Sequence, residues 1–173
     1  GTPAFRELVR EIGGQWRTEA QLREALAQVQ PERLLFDFES GDAGGWEYTG
    51  GPGPPADWGV VAAGANATGH ALHVAIPRFE SWNTLIAPEL SAPPSPDQDL
   101  TCFWAKGGPD TTQLAVEWVE RDGSRWIATV QLGEQWQHYA LLPHEFRYWH
   151  DNPSQGRGGP SDQLQLASAA KLT

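Results

Sequence analysis

A chain of 173 residues is one domain, long enough to bury a core and with room for an appendage. Nine Trp, 19 Gly and 14 Pro favour a turn-rich all-β fold, while a net charge of −10 with no basic run argues against nucleic acid or an anionic membrane as partner. One cysteine excludes an intrachain disulfide, and no stretch of about 20 apolar residues offers a transmembrane helix.

The first 31 residues read differently from the rest. Phe5, Leu8, Val9 and Ile12 fall at helical spacing, with Pro3 in the first turn and Gly13-Gly14 as the stop. Thr18 and Gln21 make a capping box ahead of a second stripe, Leu22, Ala25, Leu26 and Val29, which Gln30-Pro31 ends. This predicts a helical hairpin over 1–31, with Trp16 in its turn, ahead of a β domain over 32–173.

Strand signals then follow at short intervals, which is the pattern of a sandwich or barrel. Arg33–Glu39 alternates Leu34, Phe36 and Phe38 against Leu35, Asp37 and Glu39 and is expected to be the first strand. Gly50–Pro55 is too rich in Gly and Pro for a central strand. Trp58–Ala62, His70–Ile76 and Trp82–Ala87 are expected strands, and Asn66-Ala67-Thr68 is a sequon that marks a surface loop. Asp99–Lys106, Gln113–Glu120, Arg125–Leu132 and Gln135–Leu142 continue the series, Arg147–Ser161 is expected to be a long loop, and Asp162–Leu172 is the expected last strand. Cys102, inside an apolar strand, reads as a buried inert thiol. The chain opens at Gly1 without Met and ends in strand-like sequence, so we expect a piece of a longer protein.

The pair Gln113–Glu120 and Arg125–Leu132 is the clearest unit, because Asp122-Gly123 between two alternating runs is a hairpin signal. Leu114, Val116 and Trp118 share one side with Trp126, Ala128, Val130 and Leu132; Gln113, Glu117, Arg125, Thr129 and Gln131 share the other. One greasy and one polar face is what an antiparallel sheet half-covered by a second sheet presents. The polar side would floor a groove, or would be an ordinary wetted face with Glu117–Arg125 as a cross-strand pair. Among the tryptophans, Trp118, Trp126 and Trp136 read as packing, Trp46 as a plug at one end of the sandwich, and Trp104 fits either role. Trp58, Trp82 and Trp149, with Tyr148, sit at strand ends or in loops beside polar residues. Such rings either anchor loops or stay exposed, and an exposed ring can stack on the flat C–H face of a sugar.

Several of these positions carry a family resemblance: Phe38-Glu39, then Trp46, Gly69-His70-Ala71-Leu72-His73-Val74, Gln135-Trp136, Leu142-Pro143, Phe146 and Asp162. In that succession, over roughly residues 33–173, the chain resembles the jelly-roll carbohydrate-binding modules of the galactose-binding-like fold, which are attached to glycoside hydrolases and other polysaccharide-degrading enzymes. The resemblance implies an antiparallel β-sandwich, a polysaccharide or oligosaccharide ligand, an adjoining catalytic domain and an extracellular setting. It also implies a structural calcium where the first and last strands meet, with Glu39 and Asp162 as carboxylate ligands and Asp37 as a weaker one. Solvated strand-end carboxylates would look the same in sequence.

Catalysis finds little support. The polar face has Glu117 but no second acid plainly opposite, and glycosidases need two. The five histidines show no metal-ligand spacing, and Ser81 and Ser124 sit in no nucleophile elbow. Three readings therefore remain: a non-catalytic binding module, an accessory sandwich that docks on a catalytic domain, and a small jelly-roll glycosidase or lyase.

Overall fold

The computed structural model describes residues 33–65, 69–151 and 156–173, together with 21, 24, 25 and 28. The helical hairpin expected over 1–31, its boundary at 31/32, the sequon at 66–68 and the loop residues 152–155 lie outside the described residues.

Among the described residues ten strands follow in order: β1 Glu47–Gly50, β2 Asp57–Val61, β3 Ala71–Ala75, β4 Asn83–Ile86, β5 Thr101–Ala105, β6 Gln113–Glu120, β7 Arg125–Gln131, β8 Gln137–Leu141, β9 Arg147–Tyr148 and β10 Ala169–Leu172. All strand pairs are antiparallel. The largest sheet runs β10–β6–β7–β9, and β1–β4, β2–β3 and β5–β8 form two-stranded ribbons. The segment after β4 extends the large sheet, because the amides of Ala87 and Leu90 donate to the carbonyls of Leu172 and Ala170 at 2.9 and 2.7 Å.

The β6–β7 hairpin forms where the sequence predicts it. The Gly123 amide donates to Glu120 O at 3.0 Å, with Gly123 at φ +86°, a conformation a side chain rarely adopts. Asp122 Oδ1 accepts from the Ser124 amide at 2.8 Å, so the turn residues supply their own acceptor. Alternation then sends Val116, Trp118, Trp126, Ala128 and Val130 into the core, where they meet Leu141, Phe146, Leu164, Leu166 and Ala169. Phe103 of β5 stacks on Tyr139 of β8 at 5.2 Å and 17°, and both rings pack against the same core. The β5–β8 ribbon is thus the second layer. The Trp118 Nε1–H crosses the layers and donates to Thr101 Oγ1 at 2.9 Å, so this indole is buried with its one polar atom satisfied.

Three expectations are corrected. Arg33–Glu39 is not a strand. Phe38 takes a left-handed backbone (φ +59°), which ends any pleat, and the chain turns back with the Gly41 amide on Phe38 O at 2.9 Å. What drives the turn is aromatic packing: Phe36 meets Trp46 edge-on at 5.1 Å and Phe38 tilts against it at 5.7 Å. The last strand is shorter than expected, since 162–165 is irregular and Leu166–Ser168 is a single 3₁₀ turn before β10. The expected loop over 147–161 opens with β9, whose two residues pair with Trp126 and Ile127. No helix among the described residues is long and apolar enough to cross a membrane.

Candidate functional site

Because Trp118 and Trp126 lie opposite each other and are buried, the flanking positions of β6 and β7 point outward. Glu117 pairs with Ile127, and Val119 with Arg125. On β9, Tyr148 opposes Trp126 and Arg147 opposes Ile127, while the Trp149 amide extends the ladder to Arg125 O at 2.8 Å. On β10, Leu172 opposes Trp118 and packs on the core, Lys171 opposes Val119, and Thr173 exchanges two 2.8 Å backbone bonds with Glu117.

The outward face of the four-stranded sheet therefore holds two adjacent rows. One reads Lys171, Val119, Arg125, Trp149; the other reads Thr173, Glu117, Ile127, Arg147. Ala115 with Thr129, and Gln113 with Gln131, continue the face and are exposed. Trp149 is 43% exposed. Arg125 holds Glu117 in a two-pronged grip, Nε to Oε1 and NH2 to Oε2, each at 2.7 Å. This planar charge-assisted pair raises the Arg125 pKa, burial opposing the shift and Glu117 and Asp151 adding to it through their charge. The grip uses two of the five guanidinium N–H groups, and no described protein acceptor takes the others.

Of the residues singled out from sequence, the structure brings Glu117, Arg125 and Trp149 onto one face. Tyr148 is not a platform. It points the other way, edge-on to Trp126 at 5.4 Å and to His150 at 5.7 Å, with Gly158 so close over its ring that a Cβ there would collide. Trp58 is half-buried on β2, opposite Val74 in the β2–β3 ribbon. Trp82 is exposed just ahead of β4, its carbonyl accepting from the Gly51 amide at 2.9 Å. No described contact joins Trp58 or Trp82 to the Trp149 face.

Two further tryptophans and two cations bear on the site. Trp104 is 53% exposed on the outward side of β5 and tilts against His138, its register partner on β8, at 5.2 Å. Trp136, expected in the core, is half-buried outside it, with the Lys106 ammonium over its ring at 5.3 Å. Arg147 and Lys171 went unnoticed because neither stands near another cation in sequence.

The residues expected to hold calcium do not fit it. Asp162 is occupied by Arg157, whose Nε reaches Oδ2 at 2.8 Å and NH2 reaches Oδ1 at 3.2 Å. The same guanidinium also contacts Glu120 through NH1, Asp122 Oδ2 at 3.1 Å and Gln163 O at 3.4 Å, and it lies over the Trp126 ring at 5.4 Å. A cation already fills this carboxylate cage. It holds the Asp162 carboxyl below the usual range, chiefly by hydrogen bonding. Glu39 faces His70 instead, accepting from the His70 amide at 3.2 Å with Nδ1 at 3.6 Å, while Asp37 Oδ1 accepts from the Glu39 amide at 3.1 Å. Among the described residues no group of three or more His, Cys, Asp or Glu side chains is placed to hold a metal ion.

No family model and no curated protein matches the chain. Among solved structures it is similar to the Family 11 carbohydrate-binding module of the cellulosomal cellulase Lic26A-Cel5E of Clostridium thermocellum, with a TM-score of 0.58 and 17% identity over 84% of each chain. At that identity the likeness establishes the fold, and the sandwich expected from the carbohydrate-binding-module resemblance is met.

Proposed function

We propose that this chain is a non-catalytic carbohydrate-binding module that lays a polysaccharide along the outward face of the β10–β6–β7–β9 sheet and so carries an adjoining polysaccharide-active domain to its substrate, in an extracellular setting. The observation that carries the reading is the row Val119, Arg125, Trp149. A half-exposed indole stands next to a guanidinium whose position is fixed by Glu117. The ring offers a flat apolar surface for sugar C–H groups, and the remaining N–H donors of Arg125 suit hydroxyl and ring oxygens. Because the Glu117–Arg125 pair is already formed, little ordering entropy is lost when a ligand arrives. Thr129, Gln131 and Gln113 extend the polar surface along the strands. The fold likeness to a carbohydrate-binding module supports the class of ligand.

The same rows speak against catalysis. Their one carboxylate, Glu117, is held by Arg125, whereas glycosidases set two carboxyls about 5–9.5 Å apart. A second reading, docking on a neighbouring domain, is favoured by Trp104, whose exposure lies on the other layer and leaves the proposed face untouched.

Affinity electrophoresis of the whole chain in gels containing a panel of neutral and acidic polysaccharides tests the proposal. Retardation on at least one gel, lost in Trp149→Ala with an unchanged melting temperature, is expected. Normal mobility on every gel, or retardation indifferent to Trp149→Ala, overturns it.

A further inference from the structure

The proposed face has a charge that its surroundings do not. The chain carries −10 overall, yet Lys171, Arg125 and Arg147 occupy two adjacent rows of one sheet face. Against them stand Glu117 and, from the segment after β9, Asp151, whose charge acts on Arg125. Most other described cations are spent within the protein. Arg157 is caged, Arg78 pairs with Glu80 at 2.5 Å, Arg33 donates to the carbonyls of Pro93 and Ala92, and Lys106 sits over Trp136. Arg121 is exposed at the hairpin turn, beyond the last paired residues of β6 and β7. Arg147 and Lys171 have no acidic partner within ion-pair distance among the described residues.

Glu117 neutralises Arg125, so Lys171 and Arg147 are the two cations of this face left without a counter-charge among the described residues, one on each flank of the Glu117–Arg125 pair. Sequence position does not force the cluster, because the three residues come from β7, β9 and β10. An anionic ligand supplies the counter-charges that Lys171 and Arg147 lack.

We infer that the glycan taken by this face is acidic, a polysaccharide whose uronic acid carboxylates pair with Arg147 and Lys171 while Trp149 stacks on a sugar ring. The inference rests on the proposed function and names its ligand class. A carboxylate is favoured over other anions because the face already displays the matching geometry. Arg125 grips Glu117 in a planar two-bond fork, and the fork of Arg147, exposed one strand away, can take a ligand carboxylate in the same way. From β10 to β9 is three strand spacings, about 14–15 Å, so Lys171 and Arg147 meet charges on different sugar residues of one chain.

The test compares polygalacturonate and alginate with their methyl-esterified forms, which keep the backbone and lose the charge, and with a neutral β-glucan. Binding is read by affinity electrophoresis and calorimetry at low and high salt. Expected are retention on a free uronate, weakening with salt and with esterification, a loss of about tenfold in Arg147→Ala and Lys171→Ala, and partial recovery in Arg147→Lys. Trp149→Ala removes the binding, which places charge and ring in one site. Equal binding to free and esterified chains, binding to the neutral glucan alone, or uronate binding that survives Trp149→Ala overturns the inference and leaves the proposed function standing in the first two cases. Equal retention by dextran sulfate and single-stranded DNA marks a general polyanion patch and also overturns it. No retention on any polysaccharide defeats the proposed function itself.

Discussion

Arg125 and Arg157 lie on opposite sides of β7, and they use the same functional group for different ends. Arg157 covers the Trp126 ring on the core side, its side chain 18% exposed, with every arm of the guanidinium directed at Glu120, Asp122, Asp162 or Gln163 O. Arg125 lies on the outward side, 40% exposed, with one carboxylate and N–H groups to spare. The saturated arginine is a fastener. It ties the 156–165 segment, where Gly158 N and Gln165 N also donate to Asp162 and Glu120 at 2.7 Å, to the β6–β7 turn. The unsaturated one is oriented but still has hydrogen-bonding capacity, which is what a ligand site requires. Net charge alone does not separate the two cases; the count of acceptors does.

The largest effect that can break this comparison is expected at Arg157. Replacing it by Met leaves Glu120, with a side chain 1% exposed, as a buried charge without its counter-ion. Removing one partner of a buried pair costs about 3–5 kcal/mol. Asp122 and Asp162 can rehydrate, so the lower end, about 3 kcal/mol, is expected, which for a chain of this size lowers the melting temperature by about 6–12 °C. Glycan binding per folded molecule stays at the wild-type level. A melting temperature within 2 °C or so of wild type removes the distinction drawn between the two arginines.

Acid narrows the same difference through Asp162. Arg157 lowers the Asp162 pKa in the folded state. The stabilisation is therefore fully present above the unfolded value of about 3.9 and is lost as pH falls through the lower folded value. Melting curves of wild type and Arg157→Met, far apart at neutral pH, are expected to draw closer below about pH 4. A gap that stays constant into acid assigns the stabilisation to packing on Trp126 rather than to the ion pair.

How much of this was visible in the sequence follows from the range over which each feature is determined. The β6–β7 hairpin was legible because alternation and Asp122-Gly123 are local, and with it the outward placement of Glu117 and Arg125. Trp149 could be named as a loop aromatic, but its place beside Arg125 depends on β9, a two-residue strand that exists only by pairing with Trp126 and Ile127. Lys171 and Arg147 come together with Arg125 across three strands, a cluster that sequence distance conceals. Arg33–Glu39 alternates like a strand, yet Trp46 attracts Phe36 and Phe38 strongly enough to turn the backbone at Phe38. Arg157 sits among glycines, where a solvated loop is the ordinary expectation, and only the folded hairpin turn delivers its carboxylates.

Glu117→Gln sharpens the comparison at a smaller scale. It keeps the shape of the grip and removes its charge, at an expected cost of about 1–2 kcal/mol, since Arg125 is partly exposed and rehydrates. Its effect on binding depends on the ligand. A neutral glycan loses affinity because Arg125 is less firmly oriented. A uronate gains a few-fold because the carboxylate inside the two rows is gone. Calorimetry with matched free and esterified polyuronate separates the outcomes, and a loss for both forms identifies Glu117 as a positioning residue only.

The smallest effect is expected at Trp104, and it bears on which face the ligand uses. Trp104 is the more exposed of the two indoles, 53% against 43% for Trp149, and it tilts on His138, so exposure alone would rank it first. Its sheet face differs in what surrounds the ring. The neighbours across the β5–β8 ribbon are His138 and Ala140, beside the half-buried Cys102, whose thiol is pushed up to about 11 by burial and so stays protonated and unreactive near neutral pH. No guanidinium–carboxylate pair stands on that ribbon among the described contacts, so the ring gives area but lacks the charge-paired donor that Trp149 has beside it. Trp104→Ala is therefore expected to change glycan affinity less than twofold and, because a half-exposed side chain loses little burial, to cost under about 1 kcal/mol of stability. A tenfold loss of glycan binding in Trp104→Ala, with Trp149→Ala neutral, would transfer the site to the β5–β8 face and leave Arg125 a fastener like Arg157.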